Sequence, residues 1–381
     1  MKIAKKIRLY PNKEQEKLLW QFACTSRWAW NESLAYRITR YETDGSNTTV
    51  QQGIEHIQKL KHNNPDYDWV NSVPEAITKQ AIKDLEKAYK SFFNRGFGKP
   101  KFKKKGKSNV SFYQRTDNFR QVDDTHIKIT GIKTYIKIKK SNIPKKVSNT
   151  RVSYDGKYWY LSYTYDIEEK KNDGIDVIGV DLGIKELAIV SNGATYKNIN
   201  KTQLIKKLEK RKKRLQKQVS RKYEMNKQGK EYIKTKNIKK LEQRIRLQDR
   251  RLANIRNTYI HEVTKDLVRT TPKKIVIEDL NVRGMLKNKH LSKAIFSQCF
   301  NKFRQYLTYK CKLNGIELEI ADRFYPSSKM CSCCGNVRKQ LSLSERVYKC
   351  KKCGLEIDRD YNASINLSRY KKEWKKIVYT Y

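Results

Sequence analysis

Two cysteine pairs near the C-terminal end constrain this chain more than any other feature. Cys331-x-x-Cys334 and Cys350-x-x-Cys353 are separated by fifteen residues, a spacing at which two short knuckles set four thiolates around one tetrahedral Zn²⁺. Gly335 and Gly354 directly follow the pairs, permitting the tight knuckle turn. Four buried thiols that pair only in sequence would not need both glycines. Cys333 makes the first knuckle C-S-C-C-G and is either a spare thiol or a competitor for a ligand position. Cys331 and Cys334 are expected to bind because they repeat the C-x-x-C of the second knuckle.

Asp358-Arg359-Asp360-Tyr361-Asn362 follows and opens an amphipathic run carrying Ile365 and Leu367. An acidic cluster at a helix start can hold a divalent cation. It is equally an ordinary helix N-terminus, where the helix dipole favours carboxylates.

The 381 residues suffice for two or three domains with a sizeable core. The formal charge is +46, from 85 Lys and Arg against 39 Asp and Glu, and it is spread along the chain, so a polyanion is the expected partner. No apolar run is long enough to span a bilayer, and the opening MKIAKKIRLYP lacks the apolar core of a signal peptide. Nucleic acid is therefore favoured over a lipid surface. Isolated Cys24, Cys299 and Cys311 fit a reducing cytosol.

Residues 1–10 alternate and predict a short strand. Asn12 with Gln15 predicts a capping box for a helix carrying Leu18, Leu19, Phe22 and Trp30; Ser72 with Glu75 predicts a second, carrying Ile77, Ala81, Leu85 and Phe92. Trp28, Trp30, Tyr36 and Phe92 read as core rather than base-stacking platforms. Residues 96–108 then pack lysines around two Phe. Gly106-Lys107-Ser108 imitates the end of a phosphate-binding P-loop, but Lys101 stands where that motif needs glycine. Lys99, Lys101, Phe102, Lys103, Lys104, Lys105 and Lys107 are candidate contacts to a nucleic-acid backbone, against the plainer reading of a solvated lysine run.

From His126 the alternation turns β, as a small sheet or barrel that the first strand would join, with a boundary at the polar stretch 168–174. A buried strand then ends at Asp181, and two further strands complete a meander. Residues 201–256 hold 22 Lys and Arg against 5 acids and read as a helical hairpin broken near Gly229, a candidate phosphate track. Another buried strand ends at Glu278-Asp279. Phe296, Phe300, Phe303 and Leu307 predict the next helix, and residues 316–320 a last strand.

That order is an RNase H-like plan. In it Asp181, Glu278 and Asp360 converge at one sheet edge, with Asp279 and Asp358 as alternatives; Asp279 faces the other side of its strand. Three carboxylates in one cleft repel unless cations lie between them, so two Mg²⁺ ions about 4 Å apart are the natural occupants. Such a site hydrolyses a phosphodiester to 5′-phosphate and 3′-hydroxyl ends. There is no His-x-His among the five histidines and no G-x-S-x-G elbow.

VIGVDLGIKELAIVSNG, KIVIEDLNVRGM, FYPSSKMCSCCG and CGLEIDRDYNASINL together resemble the TnpB (OrfB) family, RNA-guided nucleases of insertion sequences related to the type V CRISPR effectors. VPEAITKQAIKDLEKAYKSFF and GKPKFK extend the likeness to the first half. The resemblance implies RuvC-type catalytic, Mg²⁺-binding carboxylates at Asp181, Glu278 and Asp360, the last preferred over Asp358 by the motif D-x-N-x-[AS]. It implies one structural Zn²⁺ on Cys331, Cys334, Cys350 and Cys353. Ser364 departs from the alanine such proteins often carry. The implied fold class is multidomain, α+β and α/β. A wedge-type β-barrel spans 1–10 and 96–168 and is interrupted by a helical recognition unit at 11–95. A RuvC-like nuclease domain spans 169–326 and 358–381, includes the basic hairpin at 201–268 and carries an inserted zinc ribbon at 327–357. The implied activity is RNA-guided cleavage of DNA beside a short motif, by a cytoplasmic, nucleoid-associated prokaryotic monomer with guide RNA and target DNA as partners and no membrane. Guide pairing supplies most sequence specificity in such an enzyme. A guided repressor that no longer cuts and an unguided zinc-ribbon DNA-binding protein are the alternatives.

Overall fold

The computed structural model describes residues 1–117, 119–342 and 344–373; residues 374–381, the end of the expected nuclease domain, lie outside them. The chain divides into two units between Ile167 and Glu168.

In the first unit β1 (Lys2–Tyr10) leads into α1 (Lys13–Asp44), α2 (Val50–Asn63) and α3 (Glu75–Arg95). Six strands follow: β2 (Val110–Tyr113), β3 (Arg120–Asp123), β4 (His126–Lys128), β5 (Ile136–Ile138), β6 (Ser148–Tyr154) and β7 (Trp159–Asp166). They form one antiparallel sheet in the order β2-β6-β7-β1-β5-β4-β3. The first strand thus sits mid-sheet, and the order ends at β2 and β3 among the described residues. Leu19 and Phe22 of α1 and Ile77 of α3 share a core with Phe112, Ile127 and Leu161 of the sheet.

The capping box at the start of α1 is complete: Asn12 accepts from the Gln15 backbone and Gln15 from that of Asn12. The one expected at Ser72 does not form. Pro74 is the N-cap of α3 and makes no side-chain bond, while the Ser72 hydroxyl donates to the Trp69 carbonyl at 2.7 Å. The Trp69 carbonyl, three residues upstream of Ser72, captures the hydroxyl before the helix can.

The second unit opens with β8 (Val177–Leu182), β9 (Glu186–Val190) and β10 (Thr195–Lys197). Next come α4 (Gln203–Met225), the short ribbon β11 (Lys227–Gln228) and β12 (Glu231–Tyr232) around Gly229, and α5 (Lys236–Arg269). β13 (Lys274–Glu278), α6 (Val282–Met285), α7 (Ser292–Gln298), α8 (Phe300–Leu313) and β14 (Glu317–Ala321) follow. β15 (Val347–Lys349), β16 (Glu356–Asp358) and α9 (Arg359–Ser368) end the described chain. The single helix expected through Phe296 and Phe300 is two, because Cys299 adopts the left-handed region at φ 56° and leaves Phe296 72% exposed.

The main sheet runs β10-β9-β8-β13-β14, antiparallel across the first three strands and parallel across the last three. Side chains alternate across a strand, and here that sorts two cores. Ile178, Val180, Ile275 and Ile277 face Val263 of α5 and Phe303 of α8. Val276 faces the opposite way, onto Leu367 of α9. Gly179 shares that second face, and a Cβ there would lie 2.0 Å from the Ser364 carbonyl oxygen. Only glycine lets α9 lie this close to β8.

Candidate functional site

The alternation that buries Val180 and Ile277 on one face turns Asp181 and Glu278 toward the α9 face. β8 and β13 are parallel, with Ile277 opposite Val180, so the next step sets Glu278 beside Asp181. α9 brings the third acid. Asp358 is its N-cap, accepting from the backbone N–H groups of Asp360 and Tyr361 at 2.9 and 3.0 Å, so Asp358 is committed to the helix and Asp360 projects from its first turn.

Burial and mutual repulsion dominate the electrostatics of these acids. Burial and then the charges of Glu278 and Asp360 push the Asp181 carboxyl well above the usual carboxylate range. Burial likewise raises Glu278 to about 7, helped by Asp360 and opposed by the Leu182 N–H that it accepts. Arg359 and Arg346 lie 3.3 and 3.9 Å from the Asp360 carboxylate. Asp279, one residue beyond Glu278, is bound instead to Arg323 at 2.6 Å and Arg304 at 3.3 Å. The three acids offer hard oxygen donors, and divalent cations among them would relieve both burial and repulsion. Oxygen donors of this kind suit a divalent cation such as Mg²⁺, although among the described residues only the four cysteines bring their ligand atoms within 4.8 Å of one another.

Cys331, Cys334, Cys350 and Cys353 gather with their ligand atoms all within 4.8 Å of one another. Cys331 and Cys353 are 3.6 Å apart at sulfur, as are Cys334 and Cys350. Tetrahedral Zn–S bonds of about 2.3 Å require sulfur separations of roughly 3.8 Å, so the cluster fits one structural Zn²⁺. Backbone N–H groups of Cys353 and Lys352 pull the Cys350 thiol down to about 6, while burial raises Cys331 and the neighbouring thiols hold Cys353 up at about 12. Cys333 is exposed and outside the cluster.

Lys99, Lys101, Phe102, Lys104, Lys105 and Lys107 stand exposed in the first unit. Lys103 differs: its ammonium sits 3.7 Å over the Trp30 ring, and burial lowers it to about 8. Asn31 holds its backbone at both N–H and carbonyl, and Trp30 donates to the Lys101 carbonyl at 3.1 Å. The loop is thus strapped to α1, presenting the other lysines and Phe102 outward.

Sequence reasoning missed Gly179 and Asn366, and met Asn362 only as the asparagine of the motif D-x-N-x-[AS], without a structural role. Asn362 and Asn366 are 0% and 2% exposed and lie one helical turn apart on α9. Asparagine is a poor helix former, and two spaced i, i+4 inside an amphipathic pattern were the available signal.

Among the described residues no helix is long and apolar enough to cross a membrane. A mixed α+β, multidomain chain with a four-cysteine zinc-type segment ahead of its last described helix is the class that fold and site define. Three family descriptions match in chain order: "Helix-turn-helix domain" over residues 1–46, "Probable transposase" (OrfB_IS605) over 160–289, and "Cas12f1-like, TNB domain" over 300–367. The chain belongs to the TnpB (OrfB) family. Residues 1–46 fold here mainly as β1 and the unbroken α1. A relative from Escherichia coli (strain K12), "Putative RNA-guided DNA endonuclease InsQ", is 27% identical over 95% of this chain and 90% of its own length. Another from Streptomyces pristinaespiralis, "Putative RNA-guided DNA endonuclease", is 29% identical over 96% of this chain and 89% of its own. The fold is similar to that in a cryo-EM structure of a Cas12f1–sgRNA–target DNA complex, with TM-score 0.58, 15% identity, and 97% and 98% of the two chains covered.

Proposed function

We propose that this chain is an RNA-guided DNA endonuclease of an insertion sequence, cutting target DNA beside a short motif by Mg²⁺-dependent phosphodiester hydrolysis, with Asp181, Glu278 and Asp360 as catalytic ligands. The observation that carries it is the convergence of three carboxylates from β8, β13 and α9, two of them raised by burial and mutual charge. Such a cluster is costly unless cations complete it. The strand order β10-β9-β8-β13-β14, three antiparallel then two parallel, supports reading residues 169–326 and 358–381 as a RuvC-like, RNase H-like domain with a zinc ribbon at 327–357. Residues 1–10 with 96–168 act as the wedge and 11–95 as the recognition helices. The relatives' names and the +46 charge support guide RNA and target DNA as partners.

Asp181, Glu278 and Asp360 would hold two Mg²⁺ ions, whose Lewis acidity would serve the attacking and leaving oxygens. Asp181 and Glu278 supply fixed negative charge from adjacent strands. The Leu182 N–H orients the Glu278 carboxylate, and Arg359 and Arg346 orient Asp360. The exposed lysines of 99–107 and the basic α4–α5 hairpin hold phosphates by charge, making binding steeply salt-dependent.

The test starts by purifying the chain expressed with its native flanking DNA, sequencing the RNA that accompanies it, and assaying Mg²⁺-dependent cutting of a matching target. Asp181→Ala is expected to lower cutting by roughly 10³-fold or more while RNA and target binding persist. Undiminished cutting by that variant sinks the site. A wild-type chain that binds its target without cutting is a guided repressor; a smear of cellular RNA marks an unguided binder.

A further inference from the structure

The two metal clusters meet on one helix. Asn362 sits two residues after Asp360 and is fully buried. Its Oδ1 accepts from the Ser332 N–H at 3.0 Å and its Nδ2 donates to the Met330 carbonyl at 2.7 Å. Those are the residues on either side of Cys331. One turn later, Asn366 Nδ2 donates to the Ser327 and Met330 carbonyls at 2.8 and 2.6 Å, and Arg369 donates to the Ser332 carbonyl.

The second knuckle reaches the same helix end. β15 enters Cys350 and pairs with β16 in the register Val347 to Asp358. The Arg359 N–H donates to the Arg346 carbonyl at 2.8 Å, and the Arg359 guanidinium donates to the Ser342 and Glu345 carbonyls. Asp360 is thus held from one side by the backbone around Cys331 and from the other by the strand leading to Cys350.

We propose that Asn362 is a positioning residue that locks the zinc knuckle at Cys331 to the first turn of α9, so that the cysteine cluster sets the placement of Asp360 at the carboxylate site. Asn362 touches neither metal site's donor atoms. It acts through the backbone on both sides, and its two bonds replace hydrogen bonds that buried peptide groups must otherwise find. A side chain without an acceptor leaves the buried Ser332 N–H unpaired, and one without a donor leaves the Met330 carbonyl to Asn366 alone; either loosens α9 against the knuckle. This rests on the reading of the carboxylates as a divalent-cation site, which its test keeps separate.

The experiment uses the full chain and Mn²⁺ as probe. Zinc per chain, melting temperature, Mn²⁺ affinity and the spectrum of bound Mn²⁺ by electron paramagnetic resonance are measured for wild type, Asn362→Ala and Asn366→Ala. The expected result is that Asn362→Ala retains one zinc per chain but binds Mn²⁺ at least tenfold more weakly with an altered spectrum. Asn366→Ala, a turn further from Asp360, is expected to change Mn²⁺ affinity less than threefold. Unchanged Mn²⁺ binding in Asn362→Ala, or equal weakening in both variants, overturns the proposal. Should Asn362→Ala fail to fold or lose its zinc, Asn362→Leu, which fills the same space but has no acceptor for the Ser332 N–H, is judged by the same two criteria. Asp181→Ala must abolish the Mn²⁺ signal; if it does not, the carboxylate reading fails instead of the clamp.

Discussion

The four-cysteine and three-carboxylate clusters lie in one unit of the molecule and are built in opposite ways. The thiols come from residues 331–353, and two glycine-closed knuckles supply most of their geometry. The carboxylates come from Asp181, Glu278 and Asp360, and nothing local brings them together. Their meeting depends on the β8–β13 register and on the close seat of α9 over Gly179. A locally built cluster survives a packing change that disperses one assembled from distant segments.

The sharpest way to break that contrast, after removing Asp181 itself, is Gly179→Ala. Its Cβ would meet main-chain atoms of α9 at 2.0 and 2.4 Å, so the helix must move. Overpacking of this kind costs about 1–3 kcal/mol. Cutting is expected to fall at least 100-fold and the melting temperature to drop, while zinc per chain stays at one because the knuckles move with α9. Loss of zinc in this variant would show the two clusters to be equally dependent on the sheet.

A smaller effect separates them by pH. Glu278 is raised to about 7 from an ordinary 4.5, so the Mg²⁺-free folded chain holds a proton between those values that the unfolded chain has released. Its contribution to stability is full below about pH 4.5 and is lost as pH rises through about 7. Melting in Mg²⁺-free buffer should therefore fall from pH 5 to 7.5, and the slope should flatten in Glu278→Gln. Divalent binding runs the other way, weakening up to about tenfold per pH unit below 7 as the proton competes for the ligand. A melting temperature that rises across this range, with no flattening in Glu278→Gln, would remove the buried carboxylate from the account.

The smallest expected effect is none. Cys333 lies outside the four-thiol set and is exposed, so Cys333→Ser should leave zinc per chain unchanged by atomic absorption. A loss of zinc would give Cys333 a ligand position after all.

Some readings depended on neighbours that the sequence does not display. Ser72 resembled a helix cap, but its hydroxyl is taken by Trp69. Phe296 fitted the apolar repeat of a long helix, but the left-handed turn at Cys299 swings it into solvent. Lys103 looked like its neighbours, yet the Trp30 face draws it inward. The first two are local, a bond three residues back and a left-handed backbone turn; only Lys103 is decided by a contact to another segment.

What the sequence by itself determined is whatever short-range chemistry fixes: the cysteine knuckles, the Asn12–Gln15 cap, the strand alternation that separates Glu278 from Asp279, and a net charge of +46. Only the tertiary structure decided that Asp358 caps α9 while Asp360 is left to the site, that glycine is required at position 179, and that Asn362 ties the cysteine segment to the helix bearing Asp360. Spacing along a chain encodes geometry over a turn or a knuckle. The distance between an aspartate on one strand and another 179 residues later is set by packing, and packing exists only once the sheet and its helix have formed.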